Sequence, residues 1–166
     1  CSVAVRGQVY CHNMDCFCLM QKYFLHSPRT AEEFSAYYNF RWQHLRQPLN
    51  MPAGSEQDSD EGESFHCMAV CPDQTIIGVG RINQESLSAM RIRYMAVNET
   101  MQGMGVGSAI LSELLNYAKS KHANLCWLNA RKQACGFYQK HGFEIVGQTE
   151  TGLNIPHCRM VKHLGP

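Results

Sequence analysis

No apolar run in this sequence approaches the ~20 residues that a helix needs to cross a bilayer. The richest early stretch, Cys16 to Leu25, is broken by Gln21 and Lys22. It also lacks a basic lead and a small-residue cleavage site, so it does not read as a signal peptide. Charge of one sign is missing too. Fifteen basic residues stand against 14 acidic ones, which argues against nucleic acid or an anionic membrane surface as partner. Internal repeats and low-complexity stretches are absent, and 166 residues make one domain with room for a proper core.

Cysteine is the exception to this even composition, at nine residues. Cys16 and Cys18, Cys67 and Cys71, and the isolated Cys126, Cys135 and Cys158 fall mostly within strand or helix patterns. They read as small buried apolar residues of a reducing compartment, so a cytoplasmic protein is expected. Cys11, His12, Cys16 and Cys18 match no structural zinc spacing, and no metal is expected. The acidic stretch within Asn50 to Ser64 is no calcium loop either. Counted from Asp58, Gly62 comes one place early and the final ligand position is Ala69. It reads as a solvated, mobile loop, though its charge would suit a cationic amine if it folded over a cleft.

Patterning supplies the elements. Residues 1–14 carry little pattern and are set apart as an arm; the domain proper spans 15–166. Asp15 to Leu25 alternates like a strand. Thr30 and Glu33 form a capping box for a helix to about Gln47, which Pro48 ends. Phe65–Val70 and Gln74–Asn83 form a hairpin about Pro72-Asp73, and Ser86–Val97 is the next strand. Val106, Ile110, Leu114 and Ala118 mark one face of a helix from Gly105 to Lys121. Asn124–Asn129, a short helix Gln133–His141 stopped by Gly142, Phe143–Thr149 and Pro156–His163 follow. The strand–helix–strand unit from Ile92 to Asn129 requires a parallel pair. The fold class is therefore α/β (α+β), a mixed, mostly antiparallel sheet of six to seven strands flanked by helices.

The most informative stretch is Gln102-Gly103-Met104-Gly105-Val106-Gly107, between a strand and a long helix. Glycines there bare the backbone N–H groups at a helix N-terminus, a seat for phosphate. No Lys follows Gly107, which excludes a nucleotide-triphosphate loop. The glycine spacing is one residue short of a dinucleotide site, and the next strand ends at Asn129 with no acid. The pattern Gln-x-x-Gly-x-Gly at Gln102, Gly105 and Gly107 remains. It resembles the pyrophosphate loop of the GCN5-related N-acetyltransferases. Downstream, Asn129-Ala130-Arg131 and Phe137-Tyr138-Gln139-Lys140-His141-Gly142-Phe143 resemble the final signature of that family, and the two signatures stand in the family's order.

The resemblance implies a single-domain enzyme of small bacterial type that moves an acetyl group from acetyl-CoA to an amine by direct attack. Residues 102–107 and Ser108 would hold the cofactor. Backbone N–H groups at Ala96 and Val97 would polarise the thioester, Asn129 would hold the pantetheine amide or thiol, and Tyr138 would protonate the leaving thiolate. The histone-modifying branch keeps a glutamate six residues before the position of Val97; here that place is Arg91. The segment Ile155-Pro156-His157 resembles a Gly-Ile-Pro-His hairpin of a small bacterial subgroup, so His157 ranks first as general base and His66 second. Expected partners are acetyl-CoA and an amine acceptor, and a homodimer is allowed. A non-catalytic acyl-CoA-binding module is the alternative.

Overall fold

The structure is a computed structural model and describes residues 23–165. The arm 1–14, the start of the first strand and the set Cys11, His12, Cys16 and Cys18 lie outside the described residues. Strands β1 (Phe24–His26), β2 (Phe65–Val70), β3 (Ile76–Gln84), β4 (Ala89–Val97), β5 (Leu125–Arg131), β6 (Glu144–Thr149) and β7 (His157–His163) form one sheet in the order β1-β2-β3-β4-β5-β7-β6. Among the described residues only β4 and β5 run parallel, and the other neighbouring pairs are antiparallel. Among the described residues three α-helices flank the sheet: α1 (Ala31–Leu45), α2 (Val106–Ser120) and α3 (Cys135–Lys140).

Helix α1 begins at the expected capping box. The Glu33 N–H donates to Thr30 Oγ1 at 3.2 Å, and the Thr30 N–H donates to Glu33 Oε2 at 3.3 Å. Two apolar clusters hold the layers together. Ile110, Leu111 and Leu114 of α2 pack with Ile82, Met90, Ile92, Cys126, Leu128 and Met160 on one face of the sheet. Tyr37 and Phe40 of α1 pack with Met68, Val70, Val79 and Ala96 on the other. Helix α2 lies very close to β3, because a Cβ at Gly80 would meet Ile110 Cγ2 at 2.8 Å.

The loop 50–64 departs from the solvated, mobile reading. Arg41 of α1 and Arg81 of β3 have no exposed surface, and a buried guanidinium needs a carboxylate. The loop supplies two. Glu61 lies 2.8 Å from Arg41 and 2.7 Å from Arg81, and Asp58 lies 2.6 Å from Arg81. Arg41 also donates to the Glu56 carbonyl, and Arg93 pairs with Asp58 at 2.8 Å. Cysteine usage is mixed as well: Cys67, Cys126, Cys135 and Cys158 are free thiols, whereas Cys71 is disulfide-bonded.

Burial pushes both carboxyls up, but hydrogen bonds and the facing guanidiniums outweigh it. Asp58 is held down to about 2 by Arg81, the Asp60 N–H and Arg93, and Glu61 is lowered by Arg41 and Arg81. A carboxyl lowered on folding adds stability above its unfolded pKa of about 4 and loses it as pH falls through the folded value. Stability should therefore drop between about pH 4 and pH 2. Glu61→Ala, which leaves buried Arg41 without its carboxylate and Arg81 with Asp58 alone, should cost about 3–5 kcal/mol in denaturant unfolding. A loss below 1 kcal/mol would mean that water screens these charges.

Candidate active site

Strands β4 and β5 pair over three positions only, Ala89 with Leu125, Met90 with Cys126 and Arg91 with Trp127. Beyond Arg91 and Trp127 they part. A cleft of about 1000 Å³ opens there, lined by the second halves of both strands, the end of α1 and the β6–β7 connection. A bulge on β4 accompanies the parting. The register against β3 slips between Val79 and Arg81, and Tyr94 takes φ +54°. A non-glycine residue in that conformation costs about 1–3 kcal/mol and persists only where its surroundings hold it. Here the Tyr94 hydroxyl donates to Asp58 Oδ2 at 3.0 Å, and the Arg41 guanidinium lies 3.8 Å from the ring centroid. The acidic loop thus supports the bulge, and bulges re-aim the strand that carries them.

Of the expected site residues, Ala96, Val97, Gln102, Asn129, Tyr138 and His157 all line the cleft. The Asn98 N–H donates to Ile77 O. Alternation along the strand then turns the Val97 N–H and C=O toward the cleft and the Ala96 N–H toward β3. The Val97 carbonyl accepts from Gln102 Nε2 at 3.3 Å, which ties the strand end to the glycine loop.

The loop itself is built for donors. Gly103 and Gly105 have φ +78° and +85°, and a Cβ at either would meet nothing within 4 Å. These glycines are therefore required by backbone conformation and not by lack of room. The backbone N–H groups of residues 103–108 have no acceptor among the described residues; the Ala109 N–H is the first to bond back, to Gly105 O. Six N–H donors without an acceptor, leading into a 15-residue helix, suit a pyrophosphate. Met104 is half-exposed, and Val106 lies in the core. The Ser108 hydroxyl is engaged 2.9 Å from His141 Nε2, so Ser108 offers its N–H and not its side chain.

Tyr138 sits on α3, and burial pushes its phenol well up, with nearby Cys135 adding to the effect. Its hydroxyl has no hydrogen-bond partner among the described residues while the residue faces the cleft. His157 is 6% exposed. Its Nδ1 lies 2.6 Å from Ile155 O and 3.1 Å from Thr151 Oγ1. The carbonyl requires Nδ1 to carry the proton, which leaves the Nε2 lone pair without a partner among the described residues. Asn129 Oδ1 accepts from Arg159 Nε at 3.3 Å.

His66, the second candidate base, does not line the cleft. Its nitrogens lie 3.3 Å from the Tyr37 hydroxyl and 2.8 Å from the Glu61 carbonyl, and burial lowers its pKa. It belongs to the packing under α1. Asp58 and Glu61 do not line the cleft either, so the acidic loop does not face an acceptor there. Sequence reading overlooked the cleft's arginines. The alternation of Met90, Arg91, Ile92 and Arg93 was the available signal, since buried Met90 and Ile92 put the arginines on the opposite face. Among the described residues no group of His, Cys, Asp or Glu is placed to hold a metal.

A parted parallel pair with a glycine loop and helix at its mouth defines an acyl-CoA transferase type of site, and comparison with known proteins agrees. The model of the acetyltransferase (GNAT) family matches residues 27–143, and the chain belongs to that family. It is 32% identical over 114 residues to the uncharacterized N-acetyltransferase YjcF of Bacillus subtilis (strain 168), a match covering 68% of this chain and 80% of that protein. In fold it is similar to Escherichia coli ElaA, with a TM-score of 0.73 and 22% identity over 87% of this chain and all of that one. An aminoglycoside 6'-N-acetyltransferase complexed with coenzyme A superposes with a TM-score of 0.71 at 14% identity, covering 86% of this chain and 98% of that one. The protein is an acetyltransferase.

The donor geometry at Gly105 generates a direct test. Gly105→Glu puts a side chain into open space at a positive φ and a negative charge beside the N–H groups. CoA affinity should fall at least about tenfold, a loss of about 1.4 kcal/mol, while far-ultraviolet circular dichroism stays unchanged. Unaltered CoA affinity in the folded variant would remove the loop from the site.

Proposed function

We propose that the protein transfers the acetyl group of acetyl-CoA to an amine by direct attack within the β4–β5 cleft. The observation that carries this reading is that Val97, Tyr138 and His157 line one cleft, with Gln102 at its edge leading into the glycine loop whose N–H groups have no acceptor among the described residues. The N–H groups of residues 103–108 hold the pyrophosphate, and the parted strands take the pantetheine arm. Of the two β4 residues expected to polarise the thioester, alternation favours Val97, whose N–H faces the cleft. Asn129, fixed by Arg159, borders the same channel.

The amine lone pair attacks the thioester carbon, and the ammonium proton passes to His157 Nε2. The Ile155 carbonyl steadies the imidazole by accepting from Nδ1–H, which also favours the imidazolium as it forms. Collapse breaks the C–S bond, and the thiolate takes the proton of Tyr138. Burial makes that proton harder to release, but a thiolate formed in the same water-poor spot is raised by the same cause. The transfer therefore stays close to balanced. Acetyl-CoA and amine give amide and free CoA, with no covalent enzyme intermediate. A module that only binds acyl-CoA would not need a free phenol and a tautomer-fixed imidazole facing one another's cleft.

Tyr138→Phe should keep CoA affinity and lower kcat by about 10²–10⁴, the usual worth of general acid catalysis. Wild-type turnover in that variant would make Tyr138 a packing residue. His157→Ala should lower kcat by about 10²–10⁴ with CoA affinity unchanged. Near-wild-type turnover would hand the proton to ordered water and leave His157 a structural role.

A further inference from the structure

Five arginines line the cleft, Arg46, Arg91, Arg93, Arg131 and Arg159, against two glutamates, Glu99 and Glu150. The chain as a whole carries a net charge of only +1, so this bias is local. Arg93 is neutralised by Asp58 at 2.8 Å, and Arg91 reaches Glu85 only at 3.5 Å. Arg46, Arg131 and Arg159 have no carboxylate partner among the described residues; their bonds go to the carbonyls of Leu45 and Ser55 and to the Asn129 amide oxygen.

The concentration is greatest where the strands part. Arg91 pairs with Trp127 across β4 and β5, and Arg159 stands opposite Asn129 on β7. The guanidiniums of Arg91 and Arg159 each lie 4.4 Å from the centroid of the Trp127 ring. A Trp ring attracts one cation by about 0.5–2 kcal/mol, but two cations on one ring also repel each other. Burial presses the Arg91 pKa down and Arg93 and Arg159 press it further, with only Glu85 opposing. Arg91 Nε is buried with no acceptor. Packing alone calls for one stacked arginine and gives no reason for the others to converge without carboxylates.

We propose that the acceptor amine carries an oxyanion, a carboxylate or a phosphate, bound in the cleft by the guanidiniums of Arg91 and Arg159 that flank Trp127. This inference rests on the acetyltransferase reading and adds its substrate class. A planar fork of N–H donors suits either oxyanion, and its charge relieves the repulsion between the two guanidiniums. The same positive field favours the neutral form of the amine that must attack, and it disfavours polycationic acceptors, for which the acidic loop is already engaged elsewhere.

The test compares glutamate and O-phosphoethanolamine with spermidine as acceptors, by thiol release from acetyl-CoA at low ionic strength. A second arm titrates N-acetylglutamate and O-phosphoethanolamine calorimetrically into protein saturated with CoA, which keeps the glycine loop filled. The acidic amines should exceed spermidine at least about tenfold in kcat/KM, and the better of the two identifies the oxyanion. Arg159→Gln should lower that kcat/KM and the calorimetric affinity by about ten- to a hundredfold, the range of one charge-assisted contact. Arg159→Lys should recover part of it, with melting temperature unchanged in both variants. Spermidine turned over as well as or better than the acids would overturn the inference and leave the acetyltransferase reading standing. Thiol release with no amine would sink that reading instead, and the calorimetric arm would still decide the anion seat: no binding, or binding indifferent to Arg159→Gln, contradicts it.

Discussion

Two parallel strands that pair at three positions and then separate create the constraint on which the rest of the molecule depends. The backbone groups that β4 and β5 would have exchanged must find other partners. Parting in the middle of a sheet is costly unless something answers those groups, and in the proposed reaction an extended arm rich in amides would answer them as a strand does. The site is therefore not a pocket added to the fold. It is the place where the sheet withholds its own ladder, and Val97, tied to Gln102, carries that unpaired edge directly to the helix N-terminus.

A second constraint keeps the strands apart. Two fully buried arginines, Arg41 and Arg81, draw in Asp58 and Glu61, and Asp58 in turn holds the Tyr94 hydroxyl over the bulge. Charge buried under α1 thereby sets the backbone at the cleft. Removal of a single carboxylate would be felt both as lost stability and as a relaxed bulge, because one network serves both.

The sequence made the elements legible because their signals are local. A capping box, an apolar helix face, glycines at a helix entry and the Phe-Tyr-x-Lys-x-Gly-Phe run each act over a few residues, and each fell where the structure has it. Tyr138, Asn129 and His157 reached the cleft for the same reason. The acidic loop was misjudged because its partners lie far along the chain: Glu61 is recruited by Arg41 and Arg81, which no window joins to it. His66, ranked second as general base, is taken up instead by Tyr37 and the Glu61 carbonyl. The Tyr94 bulge has no glycine to announce it, and the arginine cluster forms only when β4, β5 and β7 lie side by side. Alternation could resolve Val97 from Ala96 only once the Asn98 bond to β3 fixed the phase.

The central claim is that the parted strand edge and the glycine loop bind one extended cofactor. Backbone amide chemical shifts and hydrogen exchange, followed residue by residue as CoA is added, test it most directly. The account predicts protection and large shifts at Val97 and at residues 103–108, with little change at Ala96, whose N–H faces β3. Saturation with CoA that leaves the Val97 and loop amides unprotected, or that protects a different surface, would contradict it.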